Sequence, residues 1–157
     1  MSKFAENTDV SSDRSRAEIE KILRRYGADS FVYGWQEANA MIGFSFNKRN
    51  IRFVLPIPDK NDPEFSTTPA GRKRRNILAQ ETAWEQACRQ RWRALALVIK
   101  AKLEAVESGI TTFEDEFLAH IVLPGGQSIG QFIIPRLEES FRTNRAAALL
   151  PAPKKDP

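Results

Sequence analysis

Between Ser30 and Ile57 the hydrophobic positions recur every second residue. Phe31, Tyr33 and Trp35 alternate with Val32 and Gly34; Ile42, Phe44 and Phe46 with Gly43 and Ser45; Ile51, Phe53, Leu55 and Ile57 with Arg52, Val54 and Pro56. Successive side chains of a strand point to opposite faces, so this pattern predicts three strands. Asn47 to Asn50 is short and polar enough for a tight hairpin, and Gln36 to Asn39 turns the first strand into the second. The unit is an antiparallel meander with one face packed on helices.

Outside this stretch the period changes to that of a helix. Ile19, Ile22, Leu23 and Tyr26 share one helical face, Ser15 and Glu18 have capping-box spacing, and Gly27 stands where a left-handed C-cap belongs. A helix over 16–26 is expected, preceded by a flexible lead-in over 1–14. Pro56, Pro58, Pro63 and Pro69 make 58–69 a loop. Thr68 is placed to cap and Pro69 to open a long helix, whose stripe runs Trp84, Cys88, Trp92, Leu95, Ile99, Leu103 and Val106 and stops at Gly109. Its first turns, around 71–78, are expected to be frayed or to form a separate short helix. Thr112 caps a shorter helix carrying Phe113, Phe117 and Ile121, with Glu114, Asp115 and Glu116 at the positive end of its dipole. Ser128 and Gln131 again fit a capping box, opening a last helix with Ile129, Phe132, Ile133, Leu137 and Phe141, interrupted or kinked near Pro135. The expected fold is a single α+β domain over 15–142: a short helix, a three-stranded antiparallel meander, a long amphipathic helix, and two shorter helices folded back on it. Residues 143–157, rich in Ala, Pro and Lys, read as a disordered tail.

Composition removes several function classes. The chain has 157 residues, enough to bury one hydrophobic core. No apolar run approaches the roughly 20 residues of a membrane span, and the polar N-terminus has no apolar stretch of the secretory type. An intracellular, cytoplasmic protein with no membrane partner is expected. A single Cys, Cys88, forms no internal disulfide, and with a single His, His120, it supplies none of the usual zinc sets. No phosphate-binding or dinucleotide fingerprint occurs, so neither cofactor nor metal is expected. Glu116 and His120 are four apart on one helix face, but one His with no second ligand group is a weak basis for catalysis, and a non-enzymatic protein is expected.

Charge is segregated. Between Pro69 and Leu103 stand Arg72, Lys73, Arg74, Arg75, Arg89, Arg91, Arg93, Lys100 and Lys102 against Glu81 and Glu85, a local +7 in a chain of net charge +4. The Arg72-Lys73-Arg74-Arg75 cluster, opening a helix, presents point charges and guanidinium forks suited to phosphate. Arg89 and Arg93, four apart, would extend that track. Such a patch serves nucleic acid, DNA or RNA, or an acidic protein partner, and otherwise simply solvates a helix face. Among the strand aromatics, Tyr33 and Trp35 are the candidates to keep an edge in water and stack on unpaired bases, the others belonging to the core. The long apolar stripe is wide enough to serve a homodimer interface as well as the core.

The element order, α-β-β-β-α with a basic start to the second main helix, resembles that of a double-stranded-RNA-binding domain. The Gly-Pro-His type loop of such domains is replaced here by Gln36-Glu37-Ala38-Asn39. The segment RWRALALVIKAKLEAVESGITTFEDEFLAHIVLPGGQSIG from Arg91, with RFVLPIPD at 52–59 and ALLPAP near the end, resembles a family of small uncharacterised proteins encoded by phages, prophages and mobile elements. The resemblance implies action in a bacterial host cell. It implies either an accessory role in DNA replication or recombination through nucleic-acid binding, or an anti-CRISPR-like inhibitor that binds a host protein–nucleic-acid defence complex. It carries over no catalytic residue.

Overall fold

The computed structural model describes residues 5–71 and 73–146. The element order is helix α1 (Ser12–Arg25), strands β1 (Ser30–Gln36), β2 (Asn39–Phe46) and β3 (Arg49–Pro56), helices α2 (Pro63–Ser66), α3 (Ile77–Glu107) and α4 (Phe113–Phe117), a 3-10 turn (Leu118–His120) and helix α5 (Ile129–Thr143). The three strands form one antiparallel sheet in the order β1-β2-β3. The alternation located all three strands, the largest difference being the start of β2, which begins at Asn39, three residues before Ile42. The β2–β3 turn is held by Asn47 and Lys48, with φ of 47° and 61°. Two consecutive left-handed residues match the right-handed twist of the flanking strands.

The core lies between one sheet face and two helices. Ile19 and Leu23 of α1, Ala40, Ile42 and Phe44 of β2, Ile51 and Phe53 of β3, and Trp92, Ala96, Ile99 and Leu103 of α3 are buried together. The buried α3 positions recur at three and four residues, which is why its apolar stripe was readable. Phe113 and Phe117 of α4 close one end, Phe117 meeting Phe44 and Phe53 edge-on. Val32, Gly34, Met41, Gly43, Arg52 and Val54 point to the opposite face of the sheet, away from this core.

The helix boundaries differ from the expected ones in physically informative ways. Helix α1 begins three residues before Ser15: Ser11 accepts the Arg14 N–H and is the cap, and Ser15 is fully buried inside the helix. The lead-in is partly tied down, since Gln86 of α3 donates to the carbonyls of Glu6 and Thr8. The expected loop 58–69 contains the turn of helix α2, whose Phe65 is buried against α3. Helix α3 opens at Asn76, whose side chain accepts the Ala79 N–H, and not at Thr68. The segments 67–71 and 73–75 are held together instead by the Thr67–Arg74 bridge and the Thr68 N–H to Lys73 carbonyl bond, with Gly71 at φ 64°. Four basic residues in a first helical turn would face the positive end of the dipole, and this arrangement avoids that.

Helix α4 packs on α3, but α5 does not fold back on it as expected. It docks on the 3-10 turn, runs through Pro135 without a break, and buries no residue completely; Phe141 is 86% exposed. Its N-terminus is well fixed. The Ser128–Gln131 capping box is present, and Arg52 of β3 donates to Gln131. The residues from 147 onward, including most of the expected tail, lie outside those described.

Candidate nucleic-acid interface

The described basic residues have several different surroundings. Lys73 and Arg74 are exposed on the 67–75 turn, which the Arg75 N–H to Ser66 carbonyl bond holds in place. Arg72 lies outside the described residues. Arg75 lines a cleft of about 420 Å³ together with Arg91, Gln86 and Phe65, and Arg91 donates from Nη1 to the Pro56 carbonyl. Arg89 opens on a different cleft, with Nε and Nη2 both donating to Gln86 Oε1. Arg93 is turned to α1, where it ion-pairs with a half-buried Glu18. An arginine spent on that interhelical pair has little left for phosphate. Of the expected extension of the 72–75 cluster, Arg93 is thus engaged by α1, while Arg89 bonds to Gln86, a residue of the cleft that Arg75 lines.

The aromatic residues converge where the cations do not. Tyr33, opposite Ile42 in the sheet, lies on the helix-facing side at the margin of the core. Its ring meets Trp92 edge-on at 5.6 Å and tilts toward Trp35 at 6.4 Å. Trp35, two residues along the same strand, is 75% exposed. Trp84 stands eight residues before Trp92 on α3, and its indole N–H donates to the Pro58 carbonyl at 2.7 Å. Tyr33, Trp35, Trp84 and Trp92 line a cleft of about 520 Å³. An adjoining cleft of about 320 Å³ shares Trp84 and Trp92 and adds Arg16 and Arg89.

Two cations sit against these rings. The Arg16 guanidinium lies 4.6 Å from the Tyr33 centroid and 5.2 Å from that of Trp92, while pairing with Asp13. Lys60 lies 5.7 Å from the Trp84 ring and pairs with Glu81. A cation over an aromatic face is attracted by the ring quadrupole, so each ring also fixes the cation beside it. Glu37 and Asp59 stand at the rim of the aromatic cleft. Tyr33, Trp35 and Arg89 were candidates from the sequence; Arg16, Lys60, Trp84 and Trp92 were not. Trp84 and Trp92 carried a readable signal in their eight-residue spacing on the α3 stripe. The pairing of Arg16 with strand β1 depends on helix packing, which no local pattern encodes.

The remaining chemical groups are accounted for structurally. Glu116 accepts from Lys102 Nζ at 2.9 Å, and His120 lies beyond the end of α4 in the 3-10 turn, not on one helix with Glu116 as expected. His120 stacks on Phe53 at 4.0 Å, and burial, with the nearby Lys102 charge, lowers its pKa. Cys88 is buried on α3, and burial raises its thiol pKa, as befits a core cysteine. Among the described residues no cluster of three or more His, Cys, Asp or Glu could hold a metal ion, and no helix is long and apolar enough to cross a membrane. These features define an α+β domain in which an α-β-β-β-α core carries an aromatic cleft edged by arginine. No protein family, curated protein or solved structure matches the chain.

Proposed function

We propose that the protein is a non-enzymatic accessory protein of a phage or mobile element that binds nucleic acid, with an unpaired base stacked in the aromatic cleft. Trp35 and Tyr33 offer the base a π-face, Trp84 and Trp92 form the inner wall, and Arg89 meets an adjacent phosphate. Lys73 and Arg74, exposed on their turn, serve flanking phosphates. The observation that carries this reading is the largely exposed Trp35 at the mouth of a cleft walled by three further aromatics and opening toward Arg16 and Arg89. A large indole left in water is a cost that a stacking partner recovers.

Base stacking contributes about 1–3 kcal/mol per base, so Trp35→Ala should weaken oligonucleotide binding by roughly 5- to 150-fold without unfolding the chain. Arg89→Gln should lower the slope of log affinity against log salt by about 0.7 on a single strand. Fluorescence anisotropy with labelled DNA and RNA oligonucleotides reads both. Absence of binding by the wild type, or equal affinity in Trp35→Ala, would end the proposal.

One observation favours a second reading, a protein-binding inhibitor of a host defence complex such as a CRISPR effector. The carboxylates of Glu37 and Asp59 at the cleft rim suit a mixed-charge protein surface better than a polyanion. A host partner captured after nuclease treatment, and lost in Trp35→Ala, would support it. Partners that disappear with the nucleic acid would not.

A further inference from the structure

The two edges of the sheet are treated differently. Along β3 the chain returns beyond the 3-10 turn, where Ile121 bridges to Ile51 and the Val122 N–H donates to the Asn50 carbonyl at 2.7 Å. Among the described residues strand β1 is paired with β2 alone.

The hydrogen-bond alternation shows which groups of β1 remain. The Ile57 N–H donates to the Ala38 carbonyl at 2.8 Å, and the β2–β3 register continues this as Ala40 with Leu55, Ile42 with Phe53 and Phe44 with Ile51. In an antiparallel ladder, hydrogen-bonded pairs alternate with non-bonded ones. The even-numbered residues of β2 thus bond to β3, and Met41 and Gly43 bond to Gly34 and Val32 of β1. Phe31, Tyr33 and Trp35 are left with their N–H and C=O groups on the outer edge. No backbone bond outside the sheet reaches them among the described residues.

Such an edge normally carries a lysine, a proline or a bulge that prevents pairing with another chain. Ser30–Gln36 has none of these. Its sequence, SFVYGWQ, is uncharged, aromatic-rich and in unbroken register with β2 along its length. Val32 is 64% exposed on one face and Trp35 stands out on the other.

We propose that this edge is a homodimer interface in which β1 pairs antiparallel with β1 of a second copy about a two-fold axis at Tyr33. Two three-stranded sheets then become one of six strands. A second copy fits because the strand is self-complementary. Tyr33 faces Tyr33, Phe31 faces Trp35 and Val32 faces Gly34, so aromatics meet as cross-strand pairs and no charge is brought opposite another within the strand. The outward groups of residues 31, 33 and 35 meet in three hydrogen-bonded pairs, each exchanging two bonds. The flanking carboxylates Asp29 and Glu37, the latter turned away at φ 53°, limit the pairing to the strand itself. The isologous geometry closes at two copies and leaves no free β1 edge for further growth.

Light scattering on the full chain tests this directly. The expected mass is twice the 17.8 kDa of one chain, falling to one chain in Trp35→Pro. That substitution removes an outward N–H and costs no bond to β2. A Tyr33→Cys variant should form an oxidised dimer, because Cα atoms of a hydrogen-bonded pair lie about 5.5 Å apart, within disulfide range. Lys48→Cys at the far hairpin tip should not, and Cys88 is buried. A wild type that stays at one chain mass up to high micromolar concentration overturns the proposal even if neither variant folds. So does a dimer that persists in a folded Trp35→Pro. Val32→Lys, on the sheet face away from the aromatic cleft, keeps the two proposals separable: it should weaken the dimer and leave the stacking site in place.

Discussion

The hydroxyl of Ser15 is fully buried and has no hydrogen-bond partner among the described residues. A buried polar group without a partner carries a desolvation cost of about 1–3 kcal/mol, and Ala is the best helix former. Ser15→Ala should therefore raise stability by roughly 1 kcal/mol, read as a higher urea midpoint with unchanged slope. A loss of stability would mean that the hydroxyl has a partner after all. The residue also shows why local pattern misplaced the helix start. Ser15 with Glu18 has capping-box spacing, whereas Ser11 is followed at the corresponding position by Arg14. Ser15 lies on the same buried face as Ile19 and Leu23, inside the helix, which leaves the capping bond to Ser11.

His120 couples stability to pH. Its pKa is lowered by burial first and by the Lys102 charge second, with the Arg52 backbone pulling the other way. The unfolded chain, with a pKa near 6.5, binds the proton more readily than the folded one. Stability is then undiminished above about pH 6.5 and declines as the pH falls below it toward the depressed folded value. Stability curves between about pH 7 and 5 should slope less in His120→Gln than in the wild type. Parallel curves would contradict this assignment.

Among the elements, α5 depends on a single close approach. A Cβ built on Gly130 would meet the Ala119 carbonyl oxygen at 2.9 Å, a backbone atom with little room to give. Gly130→Ala should destabilise the docking of α5 on the 3-10 turn, at a cost of roughly 1–3 kcal/mol as for other overpacked contacts. Hydrogen exchange should show earlier opening across 129–143 and unchanged protection in α3. Uniform destabilisation of the whole core would contradict the view of α5 as a peripheral element. The capping box that opens α5 was legible from Ser128 and Gln131, because its partners are three residues apart. Where the helix lies was not, since its apolar residues Ile129, Phe132, Ile133, Leu137 and Phe141 would suit burial equally well. The same holds for α3: its stripe was legible over residues 84–106, but its true start at Asn76 was hidden behind Thr68 and Pro69, an equally acceptable opening pair.

For the molecule as a whole, segregation of charge along the chain did not become segregation in space. The described basic residues between 69 and 103 divide among an exposed turn, three clefts, an interhelical ion pair of Arg93 with Glu18 and a pair of Lys102 with Glu116. A helix turns 100° per residue, so a linear cluster is spread around its circumference unless spacing keeps it on one face. The aromatic cleft gathers Tyr33 and Trp35 from β1 with Trp84 and Trp92 from α3, a convergence across some sixty residues that only the packed sheet and helices create. The sequence singled out Tyr33 and Trp35 from their chemistry; their wall and their cations came from the fold. Photo-crosslinking of a bound oligonucleotide, with the attachment sites mapped by mass spectrometry, tests the central claim most directly. The account predicts adducts on Trp35, Tyr33 or Trp84. Adducts confined to the Lys73–Arg75 turn, or none at all, would contradict it.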